Sequence, residues 1–502
     1  MRWTAIACLG LTLGVVLAQD YSSSDDLLVK TGSLVLQGTL EENMPNVRVF
    51  RGVPFAEPPL GQYRFRPPVT KKSSSEVINA TWFGPSCIQL DNGQKTVYTE
   101  HLQGFLLTPG QQDTEDCLTL NIWTPRGAEG QKFPVILYIP GGGYTGGGGA
   151  SPYKYGGPMV RDQQDVIVVT MNYRLNIFGF PNAAGLDQHN LNLGLLDQRK
   201  AVEWAFNNVA AFGGDPSRMI LWGQSAGAGS ADSYAYAWPD DPVVYGFAID
   251  SGSGDGAGRS ASDTSNFTYV AQQVGCTQED KYDQFACMQT APAEDIIGVL
   301  SSYNASDNDG LSLGFGPTTD DETKFSNYSD LQARGRFAKV PLLAGNTNDE
   351  GQTLSAPYNE DGSAPNQTLV EIGTNRTACG IGRAAEVRAE HDVPVWRWRY
   401  LGYFPNLQPL EWLRSYHSSE LPLVFGTSDF SGPDTEVEDE TSKYMQGAWV
   451  AFAKDPVNGL SRYGWPTYDA AENTLVELAL DGNTSAVFAA GIKYDSTCQS
   501  SD

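Results

Sequence analysis

Basic residues are scarce in this chain of 502 residues. There are 33 lysines and arginines against 59 aspartates and glutamates, which gives a formal net charge of -26. So acidic a surface repels phosphate backbones, which argues against a nucleic-acid partner. After residue 18 no apolar run is long enough to span a bilayer, and the polar tail from Ser496 does not resemble a lipid-anchor signal. The sequence therefore predicts no integral membrane association, and it leaves the oligomeric state open.

The N-terminus carries the features of a secretory signal. Arg2 supplies the positive start, residues 5–17 form an apolar segment, and Val16-Leu17-Ala18 is a small-residue cleavage site. We therefore expect residues 1–18 to be a signal peptide and the mature protein to be secreted and extracellular. Sequons for N-glycosylation, which suit an exported eukaryotic protein, occur at Asn79, Asn266, Asn304, Asn327, Asn366, Asn375 and Asn483.

Cysteines are also few, but their number is informative. Of the seven, Cys8 lies in the predicted signal peptide, so six remain. An even count in an exported chain predicts three disulfides, although six cysteines allow 15 pairings. Nearest-neighbour pairing joins Cys87 with Cys117 and Cys276 with Cys287, which leaves Cys379 for Cys498.

The motif with most chemical content is Gly223-Gln224-Ser225-Ala226-Gly227, which fits G-x-S-x-G. It follows a short apolar run at 218–222, long enough for a strand, and precedes an alanine-rich segment at 226–237 that favours a helix. In this strand–turn–helix context the serine stands exposed at the apex of a sharp turn. A second match at 310–314 follows a polar run and leads into Gly316-Pro317, so it has neither flank and we predict no role for it.

From residue 118 onward the pattern alternates between strands and helices. Residues 135–139 and 166–171 are apolar, β-branched runs typical of a buried, mostly parallel sheet, and 193–209 has the periodicity of an amphipathic helix. Further strands are predicted at 247–249, 340–343 and 393–400, and a small antiparallel sheet in residues 27–50. We therefore predict a single α/β domain over residues 19–502, with helices on both faces of a central, mostly parallel sheet.

A reactive serine needs a base, and only four histidines are present. Because the base follows the serine in folds with this turn, the choice falls to His391 or His417. His391 lies in a charged stretch before a predicted strand, so we favour His417, which lies in a polar loop. The acid that orients the base is Asp349 or Glu350, since both follow a strand end, and the residues alone do not decide between them.

Three glycines, 141–143, follow another predicted strand, and their amides can approach a substrate oxygen without interference from side chains. Gly141, Gly143 and Gly146 also fit G-x-G-x-x-G, a dinucleotide fingerprint. However, residues 144–157 are too rich in glycine and proline to begin the helix which that motif requires. We therefore predict an oxyanion site here, and neither an organic cofactor nor a metal.

With these residues in place, the chain closely resembles the type-B carboxylesterase and lipase family, which includes the cholinesterases. The resemblance runs from about residue 30 to about residue 480. It rests on the proline-rich stretch 52–68, Glu115-Asp116-Cys117-Leu118, Leu120-Asn121-Ile122-Trp123, the triple glycine, Asn172-Tyr173-Arg174, Asp197-Gln198, residues 212–216, the G-x-S-x-G motif, Asn348-Asp349-Glu350-Gly351 and His417-Ser418-Ser419-Glu420.

This resemblance implies an α/β-hydrolase fold and assigns roles to individual residues. The implied catalytic triad is Ser225, Glu350 and His417, with an oxyanion hole formed by the amides of Gly142, Gly143 and Ala226. It also implies the disulfides Cys87 to Cys117 and Cys276 to Cys287, and structural ion pairs of Arg64 with Glu115 and of Arg174 with Asp197.

The implied function is that of a secreted, fungal-type serine carboxylesterase that hydrolyses carboxylic esters through an acyl-enzyme. One alternative is a lipase in which the loop between Cys87 and Cys117 serves as a lid. Another is a catalytically silent, cholinesterase-like binding or adhesion protein. The presence of all three triad residues argues against this last alternative.

Several residues depart from the family pattern. Gln224 stands before the serine where many relatives have glutamate, and Pro140 precedes the glycines where His or Tyr is usual. No tryptophan lies between Cys87 and Cys117, so a quaternary ammonium alcohol would find little cation–π support there. The interval from Glu350 to His417 is also short for the family. These departures predict an ester substrate other than a choline ester.

Overall fold

The computed structural model describes residues 26–256, 258–304, 313–354 and 357–498. The predicted signal peptide and the serine of the second G-x-S-x-G match lie outside these ranges. Among the helices of these ranges, none has the length and apolar character needed to cross a bilayer.

The strands follow the alternation that the sequence predicts. They are β1 (Leu28–Lys30), β2 (Val35–Gln37), β3 (Thr39–Glu41), β4 (Met44–Pro54), β5 (Val77–Asn79), β6 (Ser86–Cys87), β7 (Asp113–Thr114), β8 (Thr119–Pro125), β9 (Phe133–Ile139), β10 (Ile167–Met171), β11 (Gly214–Gln224), β12 (Gly246–Asp250), β13 (Arg259–Ser260), β14 (Thr318–Thr319), β15 (Leu342–Thr347), β16 (Val395–Tyr400), β17 (Leu475–Leu478) and β18 (Val487–Ala489).

The helices include the two that the sequence predicts, at 193–209 and 226–237. They are α1 (Val97–Glu100), α2 (Gly157–Gln163), α3 (Asn176–Gly179), α4 (Leu193–Asn208), α5 (Ala226–Ala237), α6 (Ser265–Gln273), α7 (Lys281–Thr290), α8 (Ala293–Ser301), α9 (Tyr328–Ala333), α10 (Gly351–Leu354), α11 (Gln367–Glu390), α12 (Leu421–Phe425), α13 (Glu436–Lys454), α14 (Gly459–Tyr463) and α15 (Ile492–Asp495).

Eleven strands form one sheet, in the order β18-β17-β16-β15-β12-β11-β9-β10-β8-β4-β3. The strands from β17 to β10 in this order run parallel, and antiparallel strands complete both edges. This confirms the predicted central, mostly parallel sheet. Two of its strands begin later than predicted, because β15 and β16 start directly after Pro341 and Pro394, which have no N–H to donate to a ladder.

Helices cover both faces of this sheet, as the period of two along its strands requires. On β9, Leu137 and Ile139 pack with Ala231 of α5, while Ile136 and Tyr138 belong to the opposite core with Trp449 of α13. Helices α4 and α11 contribute to the first core, and α2 and α12 to the second. The predicted α/β architecture is therefore confirmed.

A small separate sheet is formed near the N-terminus of the described residues. Strands β1 and β2 pair antiparallel, as predicted, and β5 joins β2 in parallel. Strands β3 and β4 extend the main sheet instead, because β4 pairs with β8 along most of its length.

Three disulfides join the six described cysteines, and all three predicted pairings are present. They are Cys87 with Cys117, Cys276 with Cys287, and Cys379 with Cys498. The last of these links α11 to the C-terminal segment across a sequence separation of 119 residues.

The two implied ion pairs are present as well. Arg64 Nε lies 2.6 Å from Glu115 Oε1, and Arg174 Nε lies 2.8 Å from Asp197 Oδ2. All four side chains are buried or nearly so, and each arginine also donates to a backbone carbonyl. Each ion pair therefore connects two segments that are separated in sequence, by 51 residues for Arg64 and Glu115 and by 23 residues for Arg174 and Asp197.

Candidate active site

Ser225 occupies the junction between β11 and α5, with φ 57° and ψ -122°. A non-glycine residue in this region is strained, and such strain is typical of a nucleophile turn. The flanking glycines permit it. A Cβ at Gly223 would lie 2.1 Å from the carbonyl oxygen of Gly227, and a Cβ at Gly227 would lie 2.1 Å from that of Ile139. The turn is therefore too crowded for any side chain at these two positions.

The glycine turn after β9 lies against the turn that carries Ser225. A Cβ at Gly141 would come within 2.9 Å of Ser225 Cβ, and Gly142 and Gly143 adopt φ of 127° and 63°. Across the described residues, no acceptor is found for the amides of Gly142, Gly143 or Ala226. Three free amides next to one serine can bind a developing oxyanion.

Glu350 and His417 meet at the ends of later strands. His417 Nδ1 lies 2.5 Å from Glu350 Oε2, and both side chains are buried. The loops that carry them are joined by the amide of Asp349, which donates to the carbonyl of Ser415 at 2.9 Å. The structure thus pairs Glu350, and not Asp349, with the histidine.

His391, the other candidate base, lies elsewhere. Its Nε2 lies 2.7 Å from the carbonyl oxygen of Gln332, and its ring packs edge-on against Phe337. Among the described residues, His391 therefore belongs to a local packing cluster and is not paired with an acid near Ser225.

The Glu350 carboxylate is held in its ionised form. Burial opposes ionisation, but His417 and hydrogen bonds from Ser251 and the Thr347 amide outweigh it and lower the pKa of Glu350. Ser251 Oγ and the Thr347 amide donate to Oε1 at 2.6 Å and 2.8 Å. A carboxylate fixed at both oxygens keeps a histidine in one orientation and one tautomer.

Two further acids, Asp250 and Glu420, lie in the interior near Glu350, and the sequence analysis assigned a role to neither. Burial raises the pKa of Asp250 well above its ordinary value, and the nearby charge of Glu350 adds to the effect. Burial likewise raises the pKa of Glu420, with added repulsion from Asp250 and Glu350. Burial therefore shifts both acids toward their neutral forms, whereas the pKa of Glu350 is lowered.

The loop between Cys87 and Cys117 packs inward. Val97, Leu102 and Phe105 are buried in the core that includes α12 and α13. From the same loop, the Tyr98 hydroxyl donates to the backbone carbonyl of His417 at 2.7 Å. This contact with the histidine segment was not predicted, because it joins residues 319 positions apart.

A cavity of about 340 Å³ opens beside the glycine turn. Thr145, whose amide donates to the carbonyl of Gly142, lines one side of it, and Phe315 lines another. Its remaining walls mix apolar Leu90 with polar Asn176 and the cationic Arg259. The cavity therefore adjoins the glycine turn through Thr145, and neither Ser225 nor His417 is among its lining residues.

The mostly parallel sheet with helices on both faces, together with a strained serine between strand and helix, defines the α/β-hydrolase fold. The chain belongs to the carboxylesterase family, whose pattern matches residues 25–374. It is accordingly a carboxylic ester hydrolase.

Several curated relatives align along nearly the whole chain. A chlorogenic acid esterase of Aspergillus niger is 39% identical over 497 residues, which cover 95% of each chain. Secreted lipase 5 of Gibberella zeae is 36% identical over 512 residues, which cover 94% of each. The para-nitrobenzyl esterase of Bacillus subtilis is 29% identical over 479 residues, covering 89% of this chain and 93% of the relative.

Proposed function

We propose that this protein is a secreted serine carboxylesterase that acts through an acyl-enzyme, with Ser225 as nucleophile, His417 as base and Glu350 as the acid that orients it. The observation that carries the proposal is the buried contact between His417 Nδ1 and Glu350 Oε2 beside the strained Ser225. Secretion is supported by the signal-like N-terminus, by three disulfides and by the secreted lipase among the relatives.

The reaction follows from which nitrogen carries the proton. Since Glu350 accepts from Nδ1–H, the neutral imidazole keeps its lone pair on Nε2. Nε2 takes the proton from Ser225 Oγ as the oxygen attacks the ester carbonyl. The amides of Gly142, Gly143 and Ala226 bind the oxyanion, and the alcohol leaves with the proton from Nε2. Water then attacks the acyl-enzyme in the same way and releases the acid, and Ser225 recovers its proton.

We expect the substrates to be neutral or anionic esters. The cavity beside the glycine turn would hold one substituent of the ester, and Arg259 in its wall disfavours a quaternary ammonium group by charge repulsion. This agrees with the absence of a tryptophan between Cys87 and Cys117. The relative that is a chlorogenic acid esterase supports the inclusion of aromatic acyl esters in a substrate panel.

The decisive experiment compares Ser225→Ala with Ser312→Ala, since both serines occupy a G-x-S-x-G match. A chain-length and aromatic series of chromogenic esters is tested on the secreted protein. We expect loss of hydrolysis of at least about a thousandfold for Ser225→Ala and none for Ser312→Ala. A fluorophosphonate probe should label one site, in the peptide that contains Ser225. Undiminished hydrolysis by Ser225→Ala contradicts the mechanism, and an inactive parent revives the binding-protein alternative.

A lipase is the second candidate, because one relative at 36% identity is a secreted lipase. The inward packing of Phe105 and the bond from Tyr98 to the His417 carbonyl favour the esterase, since opening this loop as a lid would break both. A rise in activity when tributyrin passes its solubility limit would instead support the lipase.

A further inference from the structure

The residue before the nucleophile contacts the base directly. Gln224 is almost fully buried, and its Nε2 lies 3.0 Å from His417 Nε2. The same amide nitrogen lies 2.5 Å from Ser418 Oγ, in the residue after the base. Over the ranges that the structure covers, no hydrogen bond joins Ser225 Oγ to His417. In this state Gln224, and not Ser225, is the partner of Nε2.

The direction of this hydrogen bond follows from the protonation of the ring. Nδ1 must carry a proton to meet the Glu350 carboxylate, so Nε2 of the neutral ring can only accept. A carboxamide nitrogen can only donate. Gln224 therefore gives one N–H to His417 Nε2 and the other to Ser418 Oγ, and both contacts are satisfied together.

We propose that Gln224 is a positioning residue that favours the unprotonated form of His417 and so extends activity to lower pH. The inference rests on the proposed roles of Ser225 and His417. An N–H donor directed at Nε2 stabilises the lone pair and repels the N–H of an imidazolium, whereas a carboxylate at this position would do the reverse. Substrate binding must then move the ring from the Gln224 amide to Ser225, because Nε2 has only one lone pair.

Other titratable groups surround the His417–Glu350 pair and remain constant when Gln224 alone is changed. Glu350 bonds the ring directly, Arg399 lies near Glu350, and Tyr98 bonds the His417 backbone. Behind the pair lie Asp250, Glu420 and Asp349, which burial holds toward their neutral forms. A change in pH dependence that follows substitution of Gln224 therefore reports on this one contact.

The test uses Gln224→Glu and Gln224→Met, the second of which keeps the length of the side chain without a donor. For the full-length secreted protein, kcat/KM for a para-nitrophenyl ester is measured from pH 4 to 9. The acidic half-point is the pH, on the acidic side of the profile, at which kcat/KM falls to half its maximum. We expect this half-point to rise by about one pH unit in Gln224→Glu and by a smaller amount in Gln224→Met. An unmoved half-point in Gln224→Glu, or a fall in Gln224→Met, overturns the inference. The fall would mean that the amide oxygen accepts from an imidazolium.

A second measurement does not depend on hydrolysis. Only four histidines are present, so ¹⁵N-histidine NMR can follow the ring of His417, identified by its loss in His417→Gln. The pH midpoint of its titration should be higher in both Gln224 variants than in the parent. Equal midpoints in the parent and the variants overturn the inference. If the parent cleaves no ester, the proposed function fails, and the NMR titration still decides the role of Gln224.

Discussion

Ser251 Oγ donates a hydrogen bond of 2.6 Å to Glu350 Oε1, the oxygen of that carboxylate which does not face His417. Ser251 follows β12 and has a positive φ of 59°. The acid of the proposed triad is therefore held by a residue that lies next to Asp250 in sequence, and this bond can be removed without altering the triad itself.

Replacing Ser251 by alanine should slow hydrolysis by about tenfold to a hundredfold, because a hydrogen bond to a buried charged group typically contributes about 1.5–3 kcal/mol. The Thr347 amide still bonds Glu350, so activity should not disappear. Ser253→Ala is the matched control, since Ser253 Oγ donates to Asp255 and not to Glu350. Equal kcat/KM in the two variants would show that Ser251 does not hold the acid.

Gly227→Ala should abolish activity and lower the melting temperature, because its Cβ would lie 2.1 Å from the Ile139 carbonyl oxygen. Gly298 in α8 is a suitable control, since a Cβ there meets no atom within 4 Å. Gly298→Ala should leave activity unchanged and raise the free energy of unfolding by about 0.5–1 kcal/mol. Calorimetry and ester hydrolysis measure both effects, and an active, stable Gly227→Ala protein would refute the steric argument.

Asp250→Asn should change how stability depends on pH. Burial raises the pKa of Asp250, so the folded protein keeps a proton that the unfolded chain releases above about pH 4. The free energy of unfolding should therefore fall as pH rises above that value, by about 1.4 kcal/mol per pH unit for one proton. Asn removes this slope while its oxygen can still accept from Trp222 Nε1.

Melting temperatures from pH 5 to 8 check this prediction. Glu420→Gln should act in the same direction, because burial raises the pKa of Glu420 as well. If the parent and both variants lose stability with pH at the same rate, neither acid is held protonated in the folded protein.

Tyr98→Phe should reduce kcat by about fivefold to tenfold, because it removes the hydrogen bonds of the hydroxyl with the His417 carbonyl and Thr353 Oγ1 and leaves the ring in place. Tyr282→Phe serves as the control, since Tyr282 is 62% exposed. If the loop is a lid that opens during turnover, the loss of this bond should instead increase activity on emulsified esters. Parallel assays with dissolved and emulsified substrate distinguish the two outcomes.

The parts of the fold that the sequence predicts correctly are those whose conformation depends on residues close together in the chain. The apolar β-branched run of β9, the alanine-rich α5 and the two glycines around Ser225 each determine their conformation within a few residues. Asp349 and Glu350, by contrast, are neighbours, and the choice between them depends on a contact with Ser415 in a distant loop. The local pattern contains no such contact, so only the family resemblance favoured Glu350.

The contacts of Gln224 also join residues that are far apart in sequence, so the local pattern could not predict them. Its sequence position identified it as a departure from the family, but its partner His417 lies 193 residues away. Asp250 directly follows the strand predicted at 247–249, and nothing local indicates that Glu420 packs near it. Pairings of this kind arise when strand ends meet at one edge of the sheet.

The disulfide between Cys379 and Cys498 encloses the segment that carries His417, whereas Ser225 and Glu350 lie before it. An extracellular protease that cut the backbone once between these cysteines would leave both fragments covalently joined. The nicked enzyme would migrate as one species without reductant and as two with it. His417, the proposed base, would thus remain tethered to Ser225 after cleavage, and this protection would last only while the surroundings stayed oxidising.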